Sequence, residues 1–308
     1  MPARITRLTD PAVTPSSHRL AWLASATDGT PLGSAFLRLF TTKGQTHLAE
    51  LDIAVHPAER RQGVGTTLLD AAVVTARGER RRSVIAQAAQ GSPGDAFLAA
   101  RGFRKVLTLT YARLELVETD PGHLSRIVQQ PRPGHHLTAW TGVVPPELAL
   151  TYAASRRAMD DMPMGETDYG TVVWDVDRVV AAAEAIAKRG DTLYTVAAVH
   201  SSSGTIVGFS ELVLPGDGNS DSDSDRNGDT INGRRREGQH YGTAVLPEHR
   251  GLGLGLWMKA KAILHARGLD SGLALLTDTA ENNTPMRRVN DALGYRPTHT
   301  ALEYQLDL

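Results

Sequence analysis

Two segments far apart in the chain, Arg60-Arg61-Gln62-Gly63-Val64-Gly65 and Arg250-Gly251-Leu252-Gly253-Leu254-Gly255, carry the same Arg-x-x-Gly-x-Gly pattern. Their settings match as well. The first follows an apolar run (Leu51, Ile53, Ala54, Val55) and His56-Pro57, and the second follows Ala244, Val245 and Leu246-Pro247. Each opens a helix-like stretch, 66–76 and 256–267, and Val55 stands as far from Arg60 as Val245 from Arg250. A strand, a short turn, a glycine corner and a helix N-terminus make a site for phosphate. Glycine lets the backbone approach closely, and unpaired N–H groups point outward with the helix dipole behind them. Neither copy reads GxGxxG with an acidic residue beyond it, nor GxxxxGK followed by Ser or Thr, so a dinucleotide fold and a P-loop are both excluded.

Arg-x-x-Gly-x-Gly after a strand resembles the acyl-CoA pyrophosphate loop of the GNAT N-acetyltransferase superfamily. The second copy also has Glu281-Asn282-Asn283, Met286, Asn290 and Leu293-Gly294-Tyr295, which is similar to the segment closing a GNAT unit in actinobacterial tandem acetyltransferases. These include mycothiol synthase and enzymes of secondary metabolism. The first copy's counterpart is 97–103, ending Arg101-Gly102-Phe103. The resemblance implies an α/β (α+β) fold of two tandem GNAT-like lobes, each a mixed, mostly antiparallel sheet flanked by helices. It also implies acetyl-CoA as cofactor. Val55, Arg60, Arg61, Gly63, Val64 and Gly65 would hold it in one lobe, and Ala244, Val245, Arg250, Gly251, Gly253, Leu254 and Gly255 in the other. Asn282 and Asn283 would pair with the pantetheine amides, or else cap the helix beginning near Pro285.

The halves are unequal. Between a strand at 5–8 and the next near Leu20, the first has only a proline- and serine-rich connector with no room for helices. The second has a strand at 136–141 and then two helix candidates, 146–159 and 176–188, the latter with Val179, Val180, Ala183, Ile186 and Ala187 on one face. A hairpin at 193–199 and 206–214 and a strand at 241–245 lead to its glycine loop. In the family the helices after the first strand form the acceptor wall, so the resemblance implies a reduced N-terminal lobe, 1–125, and a catalytic C-terminal lobe, 135–308. Pro131-Arg132-Pro133-Gly134 suits a linker.

Acetyl transfer needs a donor to polarise the thioester carbonyl, a base for the attacking amine, and a proton for the leaving thiolate. The resemblance gives the first task to a backbone N–H on the strand before the loop, here Val245, with Val55 equivalent. Aligning these two places Glu50 opposite His240, where a glutamate is frequent in the family; His240 and Glu211 are the candidate bases. The tyrosine that many relatives use as acid is replaced by Asn290, and by Leu98 in the first lobe. Asn290, Tyr241, Tyr295 and Tyr304 are the groups left to meet the sulfur. Asp160 and Asp161, between the two helix candidates, would hold a cationic amine, as would Tyr241 beside them.

The remaining sequence limits partners more than chemistry. Lys plus Arg total 33 against 34 acids, so no overall field favours nucleic acid or anionic membranes. No cysteine is present, which removes thiolate nucleophiles and Cys metal sites, and acyl transfer asks for no metal. No signal-peptide pattern or long apolar run occurs, which makes the cytoplasm the expected location. Residues 216–238 are poor in apolar side chains; Asp221, Asp223 and Asp225 begin like an EF-hand loop, but Arg226 and Asn232 break the pattern. The expected function is an acetyl-CoA-dependent N-acetyltransferase acting on a primary amine of a small molecule, as a monomer or homodimer. A protein N-terminal or lysine acetyltransferase and a non-catalytic acyl-CoA sensor are the alternatives.

Overall fold

The structure, a computed structural model, describes residues 3–8, 13–14, 16–163, 165–216 and 237–308. Of the expected insertion at 216–238, only Gly216, Glu237 and Gly238 fall within it; Asp221, Asp223, Asp225 and Arg234 to Arg236 lie outside the described residues.

Among the described residues the chain forms, in order, strands β1 (Arg4–Leu8), β2 (Val13–Thr14), β3 (Ser17–Ser25), β4 (Pro31–Phe40) and β5 (Leu48–Val55), and helix α1 (Val64–Gly78). Strand β6 (Ser83–Ala89), α2 (Pro93–Ala100), β7 (Arg104–Glu115) and α3 (Pro121–Gln129) follow. Then come β8 (His135–Thr141), α4 (Pro146–Ser155), α5 (Val176–Lys188), β9 (Thr192–His200), β10 (Ile206–Leu214) and β11 (Glu237–Val245). Helix α6 (Leu254–Leu269), β12 (Ala274–Ala280), α7 (Thr284–Ala292) and β13 (Arg296–Asp307) complete the chain. No described helix is long and apolar enough to cross a membrane.

These elements divide into two compact units. Unit 1 is Met1–Leu109 with Met164–Val173 and Thr300–Leu308; unit 2 is Thr110–Pro163 with Trp174–His299. The division is not linear along the chain, unlike a boundary between 125 and 135. Strands β7 and β13 are each divided between the units, with 104–109 and 300–307 in unit 1 and 110–115 and 296–299 in unit 2. The C-terminal half of β13 pairs antiparallel with β6, Ala301 facing Ala89 through Asp307 facing Ser83. Its Leu302 and Tyr304 enter the unit 1 core with Leu37, Leu51, Leu68 and Phe103.

Both units have the expected mixed, mostly antiparallel sheet. In unit 1, β1, β3, β4 and β5 run antiparallel in succession, and β5 then pairs parallel with β6. In unit 2, β8, β9, β10 and β11 do the same, and β11 pairs parallel with β12. The helix after each glycine corner packs one apolar stripe on its sheet at a four-residue repeat. In α1 the stripe is Leu68, Ala72 and Ala76; in α6 it is Met258, Ala262 and Ala266, and all six are buried. As expected, β8 is followed by helices α4 and α5. In unit 1 no described element lies between β1 and β3 except β2. Another stretch lies on the strand face of unit 1 that bears Glu303 and Gln305. Tyr169 and Thr167 donate hydroxyl hydrogen bonds to Glu303, the Asp168 N–H donates to Gln305 (3.0 Å), and Gln45 donates to the Tyr169 carbonyl (3.3 Å). Gly170 and Gly44 meet backbone to backbone, so closely that a Cβ on Gly170 would stand 1.9 Å from the Gly44 carbonyl.

Candidate active site

The two Arg-x-x-Gly-x-Gly segments fold alike. Arg60 donates its Nε–H to the Val55 carbonyl (3.2 Å), and Arg250 donates its own to the Val245 carbonyl (2.9 Å). Arg61 and Gly251 both have positive φ, 65° and 78°, and Gly63 and Gly253 are left-handed N-caps without a side-chain cap. At the first position the left-handed conformation costs an arginine about 1–2 kcal/mol and a glycine nothing, so the second copy is the relaxed one. The first turn of α6 leaves the N–H groups of Leu254, Gly255 and Leu256 without intrahelical acceptors. His56 N–H bonds the Leu32 carbonyl and Leu246 N–H bonds the Val207 carbonyl. Because N–H groups alternate sides along a strand, Val55 and Val245 therefore turn theirs to the opposite edge, as the oxyanion assignment requires.

That edge is open in both units, since β5 pairs with β6 only from Leu48 with Ser83 through Leu51 with Ala86. The parallel pairing of β11 with β12 covers Glu237 with Ala274 through Gln239 with Leu276, and stops there. From His240 and Thr277 onward the strands diverge. A β-bulge coincides with the opening: Glu211 faces Gly242, Leu212 faces His240, and Tyr241 is the extra residue. Strand β5 has no bulge against β4, where Arg38 faces Glu50 and Leu37 faces Leu51. The bulge corrects the ungapped alignment. In sheet register Glu50 corresponds to Gln239, and His240 takes the place of Leu51 on the face turned toward the helix.

His240 is accordingly buried, at 4% exposure, and neither ring nitrogen has a hydrogen-bond partner. Burial first, and then the charge of Lys259, hold its pKa well below the ordinary 6.5, against weaker support from the Glu211 backbone. The imidazole is thus neutral and turned away from the face that bears Glu211. Around it lie Lys259, Thr277, Thr279, Asn290 and Tyr295, all buried. Lys259 donates to Asn290 Oδ1 (2.7 Å) and reaches Thr277 Oγ1 at 3.5 Å, and its Nζ stands 4.8 Å from the Tyr295 ring centroid. Asn290 Nδ2 donates to Thr279 (3.0 Å), and the Tyr295 hydroxyl has no partner. Burial lowers the Lys259 pKa to about 7 and raises that of Tyr295.

The other face of the sheet holds a cavity of about 200 Å³, lined by Trp140, Tyr152, Arg156, Trp174, Glu211 and Tyr241 among others. Glu211 pairs with Arg156 (2.7 Å) and accepts from the Tyr152 hydroxyl (2.5 Å). The Arg156 guanidinium lies over the rings of Trp174 (4.0 Å) and Phe209 (4.7 Å), which suits its planar cation. Burial first, then the Glu211 charge, raises the Tyr152 pKa. Tyr241, pushed out by the bulge, lies at the cavity and accepts from Arg189 (2.9 Å).

Other sequence candidates take structural positions. Asp161 forms a two-pronged pair with Arg250, 2.7 Å on each side, so neither side chain is free for a ligand here. Asp160 ends the short 3-10 turn after α4 and is exposed. Asn283 caps α7, accepting from the Met286 N–H (3.3 Å), while Asn282 is exposed. Tyr304 donates to Asp95 inside unit 1 (2.5 Å). Sequence reading missed Arg156, Tyr152, Trp174 and Lys259. It also missed Arg132, whose guanidinium lies 3.3 Å from where a Cβ on Gly253 would sit. None of them left a local signal, since α6 carries Lys261, His265 and Arg267 as well as Lys259. Among the described residues no group of three or more His, Cys, Asp or Glu is arranged to hold a metal ion.

The corresponding place in unit 1 has different neighbours, with nothing among the described residues within 4 Å of a Cβ on Gly63. Phe97 from α2 stands 3.4 Å from a Cβ on Gly65, and Arg101 stacks on Phe97 and donates to Thr66 (2.5 Å). Among the described residues a Cβ on Gly255 meets only Thr243, at 3.9 Å. Glu50 is exposed enough to pair loosely with Arg38, 3.5 Å away.

A mixed sheet that opens beside a glycine-cornered helix N-terminus, formed twice in one chain, defines a tandem acyltransferase framework. The sequence profile of the acetyltransferase (GNAT) family matches residues 4–103 and 159–295, and the chain belongs to that family. Its fold matches a tandem GNAT protein from the clavulanic acid biosynthesis pathway, with a TM-score of 0.72 and 23% identity over 96% of this chain and 84% of that one. A GCN5-related N-acetyltransferase from Sphaerobacter thermophilus matches with a TM-score of 0.58 and 17% identity over 93% and 80%. The glucosamine N-acetyltransferase region of a fungal multi-domain β-N-acetylglucosaminidase matches with 0.63 and 17% over 94% and 33%. At these identities the likeness is one of fold. No curated protein sequence matches the chain.

Two outcomes test this site. Arg156→Met leaves Glu211 buried without its cation and should cost about 3–5 kcal/mol in urea denaturation; adding Glu211→Leu should recover most of that loss. His240 has a lowered pKa in the fold, so the unfolded chain binds its proton more tightly. Its stabilising contribution is complete above pH 6.5 and is lost as pH falls below that. The melting temperature of His240→Leu should therefore fall less than that of the wild type between pH 7 and pH 5.

Proposed function

We propose that unit 2 transfers an acetyl group from acetyl-CoA to a primary amine of a small molecule. The observation that carries this reading is the cavity on the face of β10 and β11 that holds Glu211 and Tyr241, beside the edge where β11 leaves β12. The N–H groups of Leu254, Gly255 and Leu256 would hold the pyrophosphate, with Arg132 beside Gly253 adding positive charge. Arg250 would serve by bracing the loop, through Val245 and Asp161, rather than by touching phosphate. The Val245 N–H would stabilise charge developing on the thioester oxygen.

Glu211 is the carboxylate on the acceptor face and our choice of base. Arg156 and Tyr152 fix its orientation, and the proton of the attacking amine would reach it directly or through one water. Tyr241 would border the acceptor. A partly open cavity of about 200 Å³ walled by Trp140 and Trp174 fits a compact amine better than a polypeptide segment, which favours a small-molecule acceptor over a lysine or protein N-terminus. The fold shared with a protein of clavulanic acid biosynthesis agrees with a tailoring or self-resistance role. Unit 1, in which no described helix directly follows the first strand, would serve as a structural partner.

Calorimetric titration of acetyl-CoA into wild type, Gly65→Glu and Gly255→Glu tests the reading, paired with thiol release against aminoglycosides, amino acids and aminophosphonates. Gly255→Glu alone should abolish both binding and release, with circular dichroism showing each variant folded. Binding that persists in Gly255→Glu, with no amine releasing thiol, would replace this reading with acyl-CoA sensing.

A further inference from the structure

Because the two units share one framework, their residues compare position by position. Gly33 faces Val55 as Gly208 faces Val245. The Phe103 N–H bonds the Leu98 carbonyl as the Tyr295 N–H bonds that of Asn290. Counting from these fixed points, the helix-facing cluster beside the diverging strands is Leu51, Leu69, Ala86, Leu98 and Phe103 in unit 1, all buried. In unit 2 the same positions hold His240, Lys259, Thr277, Asn290 and Tyr295, also buried.

Five apolar positions have therefore become polar in one unit only. Unit 1 shows that hydrocarbon fills this space adequately, and polar groups are costly there. Lys259 is 1% exposed and has no carboxylate within ion-pair distance among the described residues. Both His240 ring nitrogens and the Tyr295 hydroxyl are buried without partners. Such a cluster, beside the opening whose edge carries the Val245 N–H, is unsatisfied until a polar guest enters.

We propose that Lys259, oriented by Asn290, is the proton donor that meets the sulfur of the acyl donor between β11 and β12. This rests on the reading that unit 2 binds acetyl-CoA. As the C–S bond breaks and sulfur keeps the electron pair, one Nζ–H bond of Lys259 breaks and its proton passes to sulfur. Lys259 is left as a neutral amine, which solvent reprotonates in balance with the proton lost by the acceptor nitrogen. Asn290, at the position where the family places a tyrosine, positions the ammonium rather than touching sulfur. The titratable groups facing Lys259 are His240, Asp278 and Tyr295. With its pKa lowered to about 7, the ammonium is a stronger acid than an ordinary thiol near 8.5, so the transfer runs downhill.

The test reads the thiol of bound CoA by its ultraviolet thiolate absorbance across pH, in wild type, Lys259→Leu, Lys259→Arg and Gly255→Glu. Leucine is the unit 1 residue at this position, and arginine keeps the charge if leucine fails to fold. The expected result is a bound thiol pKa at least about one unit lower in Lys259→Arg than in Lys259→Leu, as a fixed cation within about 4–6 Å imposes, and a two-step thiolate titration in wild type, where the thiol and Lys259 lose their protons as a coupled pair. Binding that Gly255→Glu abolishes, with the same single-step thiolate titration in wild type, Lys259→Arg and Lys259→Leu, overturns the proposal and leaves the unit 2 reading standing. Binding indifferent to Gly255→Glu overturns both.

Discussion

Backbone pairing between β11 and β12 ends at Gln239 and Leu276, and every chemical feature of unit 2 depends on that ending. A continued ladder would consume the Val245 N–H and close the sheet to any thioester. The bulge at Tyr241 works with the opening. It adds one residue to β11, turns His240 inward toward α6, and brings Tyr241 out beside Glu211. One inserted residue thereby assigns two neighbouring side chains to opposite faces, one in the polar cluster and the other at the cavity that holds Glu211.

The two units illustrate how one framework is put to two uses. In unit 1 the regular β4–β5 ladder, the apolar cluster and Phe97 over Gly65 all favour a well-packed core. In unit 2 a buried ammonium, a partnerless imidazole and a buried arginine–glutamate pair all lower stability relative to hydrocarbon. Departures from good packing that gather on both sides of a single opening mark a functional site more strongly than any one of them alone.

The sequence made some of this legible and hid the rest for definite reasons. The glycine loops could be read because their geometry is local: positive φ at Gly63 and Gly253 and the arginine clasp on Val55 and Val245 all follow from six-residue segments. Helices α4 and α5 were visible from periodicity. The bulge was not, since nothing in His240-Tyr241-Gly242 distinguishes a bulged strand from a regular one, and the ungapped alignment shifted His240 to the wrong face. Pairing of the last strand with β6 was invisible too, because register over such a separation leaves no local trace. The stretch 166–171 likewise reads as a loop between helix candidates, yet it covers a strand face of unit 1. Lys259 was overlooked because lysine on a helix is ordinarily solvated; only its counterpart Leu69 marks the position as interior.

The central claim is that unit 2, and not unit 1, receives the acyl donor along its open edge. Backbone hydrogen exchange with and without acetyl-CoA tests it most directly. The account predicts slowed exchange at Val245, Leu254 and Gly255 and no change at Val55, Val64 and Gly65. Protection confined to the unit 1 amides would contradict it.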